Sequence, residues 1–281
     1  MQKIISIANQ KGGVGKTTTA FNVAARLVKA GKKVLCIDFD PQGNLSEYLG
    51  YDGNAQITMA GLMTAVVAGQ PVNPSEAVVK SSEGIEYIAA DISLASADLF
   101  LAGAFMREQV LKQVLSHESL SEYDYIIIDC LPSLGILLTN ALTASTDIII
   151  PVQTQKFAFD GLNALMQMYK IVKSRINHRL NISGILLTMT DNTNMSKNIE
   201  KMKSDFDDMV FKTKIKRSVE AANSSEAQKS LISQKNSKLG VQYNAKLLTP
   251  SADIKICGFE QADYPDNFFD VAITNGTVWQ Y

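Results

Sequence analysis

Short, nearly continuous apolar runs alternate along the chain with longer stretches in which apolar residues recur every three or four positions. Ile4 to Ala8, Val34 to Ile37, Ile85 to Ala89, Tyr125 to Ile128, Ile148 to Val152 and Ile182 to Leu187 read as strands. Most of these runs are apolar throughout, as expected of strands covered on both faces. Thr17 to Ala30, Phe105 to Leu115, Leu134 to Ala144 and Phe157 to Ile176 carry apolar residues at helical spacing. Repeated strand–helix units predict an α/β fold, a doubly wound, mostly parallel sheet with helices on both faces.

Composition refines this picture. A chain of 281 residues with 46% hydrophobic and 20% charged content can bury a large core and is not disordered. Lys and Arg number 27 against 28 Asp and Glu, so bulk charge cannot coat nucleic acid or an anionic membrane, and any such binding must be local. The charge is uneven. Residues 196–246 hold eleven Lys/Arg and six Asp/Glu, net +5, whereas the segment after Pro250 holds one Lys and five acids, net −4. No apolar stretch is long enough for a signal peptide or a membrane span, so a cytoplasmic location is expected. Cys36, Cys130 and Cys257 are widely spaced and form no CxxC pair, which suggests neither a disulfide framework nor a zinc site.

The strongest local signal lies directly between the first strand and the first helix, Asn9-Gln-Lys11-Gly12-Gly13-Val14-Gly15-Lys16-Thr17-Thr18. Glycines there let successive backbone N–H groups turn inward around an anion, and the helix amino end adds its dipole. Lys16 can reach the β and γ phosphates of a nucleotide, and the Thr17 hydroxyl can ligate Mg²⁺. Gln10 stands where the general phosphate-loop pattern has glycine, and Lys11 is a second lysine inside the loop. Two further acidic motifs end strands. Cys36-Ile-Asp38-Phe-Asp40-Pro41-Gln42-Gly43-Asn44 sets two carboxylates at a strand's carboxyl end, where such sheets present their ligand crevice. Tyr123-Asp-Tyr-Ile-Ile-Ile-Asp129-Cys-Leu-Pro132 places Asp129 at the end of a buried strand.

The string Lys11-Gly-Gly-Val-Gly-Lys-Thr-Thr18 resembles the deviant Walker A motif of the ParA/MinD superfamily of dimerising P-loop ATPases, of the ParA/Soj partition type. The resemblance implies ATP and Mg²⁺ as cofactors, held by Gly12, Gly13, Val14, Gly15, Lys16, Thr17 and Thr18. It implies that Lys11 acts in trans on the nucleotide of the other subunit of an ATP-dependent homodimer. That logic is close to an arginine finger's. The Asp38–Asp40 string is similar to the family's switch I, which implies Asp38 in the magnesium shell and Asp40 positioning the attacking water. Asp129 is similarly placed as the Walker B acid beside Thr17, followed by switch II, with Leu131 where proline is common. Leu138-Thr-Asn140-Ala-Leu142, Ile150-Pro-Val-Gln153, Asp160-Gly161-Leu162 and Gly184-Ile-Leu-Leu-Thr188-Met189 extend the resemblance over about residues 1–248, and the loop after Thr188 implies Asp191 near the adenine.

Lys212-Thr-Lys214-Ile-Lys216-Arg217 alternates cations along a candidate strand, which groups several on one face. This is either a lysine-protected edge strand or a phosphate-attracting patch. The resemblance favours non-specific DNA binding through Lys214, Arg217 and Lys246, with release by hydrolysis that a ParB-like centromere-binding protein stimulates. The phosphate loop lies so near the amino end that an operator-reading domain before it is not expected. Residues 249–281 form an acidic, aromatic-containing extension without the basic amphipathic character of a membrane anchor, so no stable membrane association is expected. A hairpin appendage, a docking extension and a disordered end all fit that segment. The alternatives are a MinD-like ATPase positioning a membrane or protein complex, a metabolic P-loop ligase, and a redox switch like the nitrogenase iron protein. The last needs two placed cysteines per chain, and only Cys130 lies near the switch.

Overall fold

The computed structural model describes residues 2–153, 158–190, 206, 209–234 and 237–244. Its centre is an eight-stranded sheet in the order β3-β4-β2-β5-β1-β6-β7-β8, made of β1 (Lys3–Ile7), β2 (Val34–Phe39), β3 (Val78–Lys80), β4 (Glu86–Ile88), β5 (Tyr125–Cys130), β6 (Asp147–Gln153), β7 (Asn181–Thr190) and β8 (Val210–Lys216). All pairs are parallel except β3 with β4. The central strands β2, β5 and β6 are buried at every position, which is why their sequences read as unbroken apolar runs.

Alternation of side chains divides the core in two. Ile5, Ile7, Cys36 and Ile127 face α1 (Lys16–Lys29), α2 (Asn44–Tyr48) and the segment that carries Leu231, Leu239 and Tyr243. Leu35, Ile37, Ile126 and Ile128 face the opposite layer, built from α3 (Met59–Val67), α4 (Ala97–Leu101), α5 (Val110–Leu115), α6 (Ile136–Ala144) and α7 (Ala158–Arg175). Two short helices, α8 (Glu220–Glu226) and α9 (Lys238–Asn244), close the first layer. The expected doubly wound sheet is therefore present. The loop after β1 leads to α1 on one face and the loop after β5 to α6 on the other, which opens a crevice at the carboxyl ends of these adjacent strands.

Two departures from the sequence reading have local causes, and one expectation holds. The helix expected from Phe105 begins only at Val110, after a tight turn over Arg107–Gln109, because Met106 takes a left-handed conformation (φ 52°) that a helix cannot continue through. The strand β3 is only three residues long, and α2 and α4 five each, too short to imprint a period. The cation-bearing segment is a strand, with Val210, Phe211 and Ile215 buried and Lys212, Lys214 and Lys216 exposed.

Candidate nucleotide site

The loop between β1 and α1 turns through Gly13 (φ 70°) and Gly15 (φ 84°), left-handed values that glycine adopts without strain. Gly15 is the residue before α1, and no side chain caps the helix there. The amides of the first turn therefore face outward with the positive end of the helix dipole, and a Cβ added at Gly12 or Gly13 would meet nothing within 4 Å. Buried side chains hold this loop from behind. Asn9 donates from Nδ2 to the Pro151 carbonyl (2.7 Å) and accepts the Lys11 N–H at Oδ1 (2.9 Å), while Thr188 donates from Oγ1 to the Val14 carbonyl (2.8 Å).

The Lys16 ammonium is buried and donates to the Lys11 carbonyl at 3.2 Å. Burial lowers its pKa, and the carboxylates of Asp129 and Asp40 counter that effect. The parallel register sets Asp38 of β2 level with Asp129 of β5, and Asp129 level with Ile7 of β1. By alternation with Cys36 and Ile127, both carboxylates project toward α1, where Lys16 and Thr17 begin the helix. Lys16, Thr17, Asp38, Asp40 and Asp129 are thus brought together by three adjacent strand ends and one helix start.

The two carboxylates differ sharply in their surroundings. Asp38 is fully engaged: Oδ1 accepts the Asp40 N–H (3.2 Å), and Oδ2 accepts both the N–H and the hydroxyl of Ser46 at 2.7 Å each. Burial nonetheless pushes its pKa up to about 6. Asp129 is buried with neither carboxylate oxygen hydrogen-bonded. Burial and the Asp38 charge raise its pKa well above the usual carboxylate range, while the neighbouring Thr17 hydroxyl and Lys16 ammonium pull the other way. A buried carboxylate whose one neighbouring donor is the Thr17 hydroxyl, short of full hydrogen-bond geometry, is unusual and fits a cation as its partner. Among the described residues no three or more His, Cys, Asp or Glu side chains are placed to hold a metal ion by themselves. This donor set suits Mg²⁺, which takes one or two carboxylates plus phosphate and water oxygens and needs no closed protein cage.

Asp40 is half-buried at the rim, where Oδ1 accepts the Gln42 N–H (3.0 Å), and Lys11 is half-buried in the loop. Lys214 and Arg217 are exposed at the β8 edge of the sheet. Asp191 and Lys246 lie outside the described residues, as do Cys257 and the extension from 249. Asn9, Ser46 and Thr188 were not singled out as organisers of the site by the motifs. Asn9 and Thr188 lie within quoted motif strings, but Ser46 carries no sequence signal.

Fold and loop together define a P-loop nucleotide-binding α/β protein, and an AAA-domain family matches residues 2–182. The chain is 44% identical over 223 residues to the sporulation initiation inhibitor protein Soj of Bacillus subtilis, covering 78% of this chain and 86% of that one. It is 41% identical over 225 residues to the chromosome-partitioning ATPase Soj of Treponema pallidum, covering 78% and 85%. The chain belongs to the ParA/Soj family of partitioning ATPases. Among solved structures, cobyrinic acid a,c-diamide synthase from Mycobacterium smegmatis with bound ADP and magnesium matches with a TM-score of 0.71 at 34% identity, covering 81% of this chain and 93% of that one.

Proposed function

We propose that this protein is an ATP- and Mg²⁺-dependent dimerising switch that holds non-specific DNA in its ATP state and partitions a DNA cargo. The observation that carries the reading is the unpartnered, buried Asp129 carboxylate beside Lys16 and Thr17, under a loop of open amides, in a chain 44% identical to Soj. The amides of Gly12, Gly13, Val14, Gly15, Lys16, Thr17 and Thr18 cradle the phosphates, and the Lys16 ammonium neutralises their charge. Thr17, Asp38 and Asp129 would hold Mg²⁺, with Asp38 braced by Ser46 and the Asp40 amide. Bound Mg²⁺ supplies charge neutralisation of the transferred phosphoryl group. Asp40 orients the attacking water from the rim, and Lys11 reaches the nucleotide of a second subunit, so hydrolysis requires the dimer. Asp191 is assigned to contact with the base.

Lys214, Arg217 and Lys246 contact DNA phosphates, which neutralises backbone charge without reading sequence. A ParB-like centromere-binding protein stimulates hydrolysis and releases the dimer. Residues 1–248 form the switch unit, and 249–281 append to it. No helix of the described residues is long and apolar enough to cross a membrane. An iron–sulfur redox role needs a presented thiolate, whereas Cys130 is fully buried with its thiol pushed up to about 12. The test is DNA retention with ADP, ATP and a non-hydrolysable analogue across a salt series. Retention is expected with ATP and the analogue and is expected to fade with salt. Retention indifferent to nucleotide would exclude the switch and leave a synthase-type role open.

A further inference from the structure

β8 is the edge strand on one side of the sheet, and residues 209–219 hold four cations and no acid. Phe211 and Ile215 are buried in the core shared with α1, whereas Lys212, Lys214, Lys216 and Arg217 are exposed. The first acid beyond them, Glu220, is engaged elsewhere, accepting the Ser237 hydroxyl at 2.6 Å and the Leu239 N–H at 3.1 Å. The run is a concentrated positive charge at the rim of the sheet.

The helix α9 is fixed against the same strand. Gln242 accepts the Lys216 N–H at 2.7 Å, the Tyr243 hydroxyl lies 3.4 Å from Thr19 Oγ1 of α1, and the helix stops at Asn244. The residues that follow soon after, 249–281, hold Asp253, Glu260, Asp263, Asp266 and Asp270 against Lys255 alone. At no more than about 3.5 Å per residue, the stretch from Asn244 to Asp253 spans up to about 30 Å, so all five acids are within reach of the β8 cations of their own chain. A short tether also holds them there at an effective concentration in the mM range. A second acid-free run of cations, from Lys170 to Arg179, is placed less favourably. It lies where α7 leads into the start of β7, at the amino end of the sheet, whereas α9 meets β8 at Lys216, near the carboxyl end. Lys173 within that run already donates to the Leu180 carbonyl (2.8 Å) and to Asn181 Oδ1 (3.0 Å).

We propose that residues 249–281 dock on the β8 cations of their own chain and compete there with DNA phosphates, as an intramolecular brake on DNA retention. Carboxylates and phosphates satisfy Lys and Arg through the same charge-assisted hydrogen bonds, so the two occupants exclude each other. The net +5 of residues 196–246 and the net −4 after Pro250 then neutralise one another until DNA displaces the acidic segment. The proposal rests on the switch reading only for the identity of the competitor, since docking of the segment on β8 needs no DNA.

The test compares the full chain with a variant in which the five acids are neutralised together, as Asp253→Asn, Glu260→Gln, Asp263→Asn, Asp266→Asn and Asp270→Asn. Unchanged thermal melts verify that this variant folds. The first readout is taken without DNA. A maleimide–succinimide cross-linker is attached to Cys257, because Cys36 and Cys130 are fully buried, and the lysines it captures are mapped by peptide mass. Capture of Lys212, Lys214 and Lys216 within one chain is expected for wild type at about 50 mM salt, and at least about tenfold less for the neutral variant. The second readout is affinity for duplex DNA with ATP. The neutral variant is expected to bind about tenfold tighter at about 50 mM salt, a gain that shrinks toward 200 mM as screening weakens the acidic segment. The proposal is overturned if Cys257 captures lysines of residues 170–179, or of a second chain, in preference to those of β8. It is also overturned if capture at β8 is equal in the two proteins, because tethering alone would then explain it and any gain in DNA affinity would come from the long-range field. Equal DNA affinities beside charge-dependent capture would overturn the competition. Charge-dependent capture in a protein whose variants all lack ATP-dependent DNA retention would instead sink the switch reading and leave the docking standing.

Discussion

Burial makes ionisation of two carboxylates at the strand ends costlier in the nucleotide-free protein than in water. Burial raises Asp38 from 3.8 to about 6 and Asp129 well above its ordinary range. A carboxyl whose pKa is higher folded than unfolded adds stability below its unfolded pKa, and that stability is lost as pH rises through the folded value. For Asp38 the loss amounts to about 3 kcal/mol. Asp129→Asn is therefore expected to melt higher than wild type at pH 7.5, by calorimetry without nucleotide, with the difference shrinking toward pH 5. The same variant should lose the stabilisation that Mg²⁺ adds to a bound nucleotide. An Asp129→Asn protein less stable than wild type at pH 7.5 would mean that a partner already satisfies this carboxylate. The two loop lysines separate binding from assembly. Lys16→Ala should abolish nucleotide binding in calorimetric titration, whereas Lys11→Ala should bind nucleotide and fail to dimerise with ATP in sedimentation; ATP-driven dimers of the Lys11 variant would remove its trans role. Most of these residues were legible because phosphate and Mg²⁺ chemistry demands particular types at close spacing. Ser46 was not, since its hydroxyl reaches Asp38 by chain folding and no spacing rule marks it.

Among the elements, α1 joins the phosphate loop to the carboxyl-terminal part of the described chain. Asn22, buried in α1, donates from Nδ2 to the Thr18 carbonyl (2.8 Å) and accepts the Leu231 N–H at Oδ1 (2.8 Å). The Tyr243 hydroxyl of α9 lies 3.4 Å from Thr19 Oγ1, and Gln242 of the same helix accepts the Lys216 N–H of β8 at 2.7 Å. These contacts connect the start of α1 with the strand that carries Lys214. Asn22→Ala leaves the Leu231 N–H buried without its acceptor, which costs about 1–3 kcal/mol. It is expected to lower the melting temperature. Beyond that, it should narrow the ratio of DNA retention in ATP to that in ADP more than it weakens ATP binding, and an unchanged ratio would deny the coupling. Long elements such as α1, β5 and β6 were readable because period and burial agree over several residues. The contacts that couple them join positions such as 22 and 231, which no local pattern relates, and the early helix at Phe105 failed on a single left-handed residue.

For the whole molecule, a net charge of −1 hides a division between a basic region at 196–246 and an acidic tail. Long-range attraction to DNA is therefore weak, and retention must come from the few cations that touch phosphate. With Lys214, Arg217 and Lys246 from two subunits, roughly six phosphates would be neutralised, and the affinity should fall about 1000-fold between 50 and 200 mM salt. Lys214→Ala and Arg217→Ala should each lower the slope of log affinity against log salt by about one per cation removed. Their effect should be the same on any DNA sequence, because phosphate contacts carry no sequence information. Exposed lysines that served only to guard the β8 edge would leave that slope unchanged when removed and would instead promote aggregation. Retention across a salt series together with light scattering of the two variants decides between these roles. A lowered slope without aggregation assigns the β8 cations to DNA, and aggregation at an unchanged slope assigns them to protection of the edge.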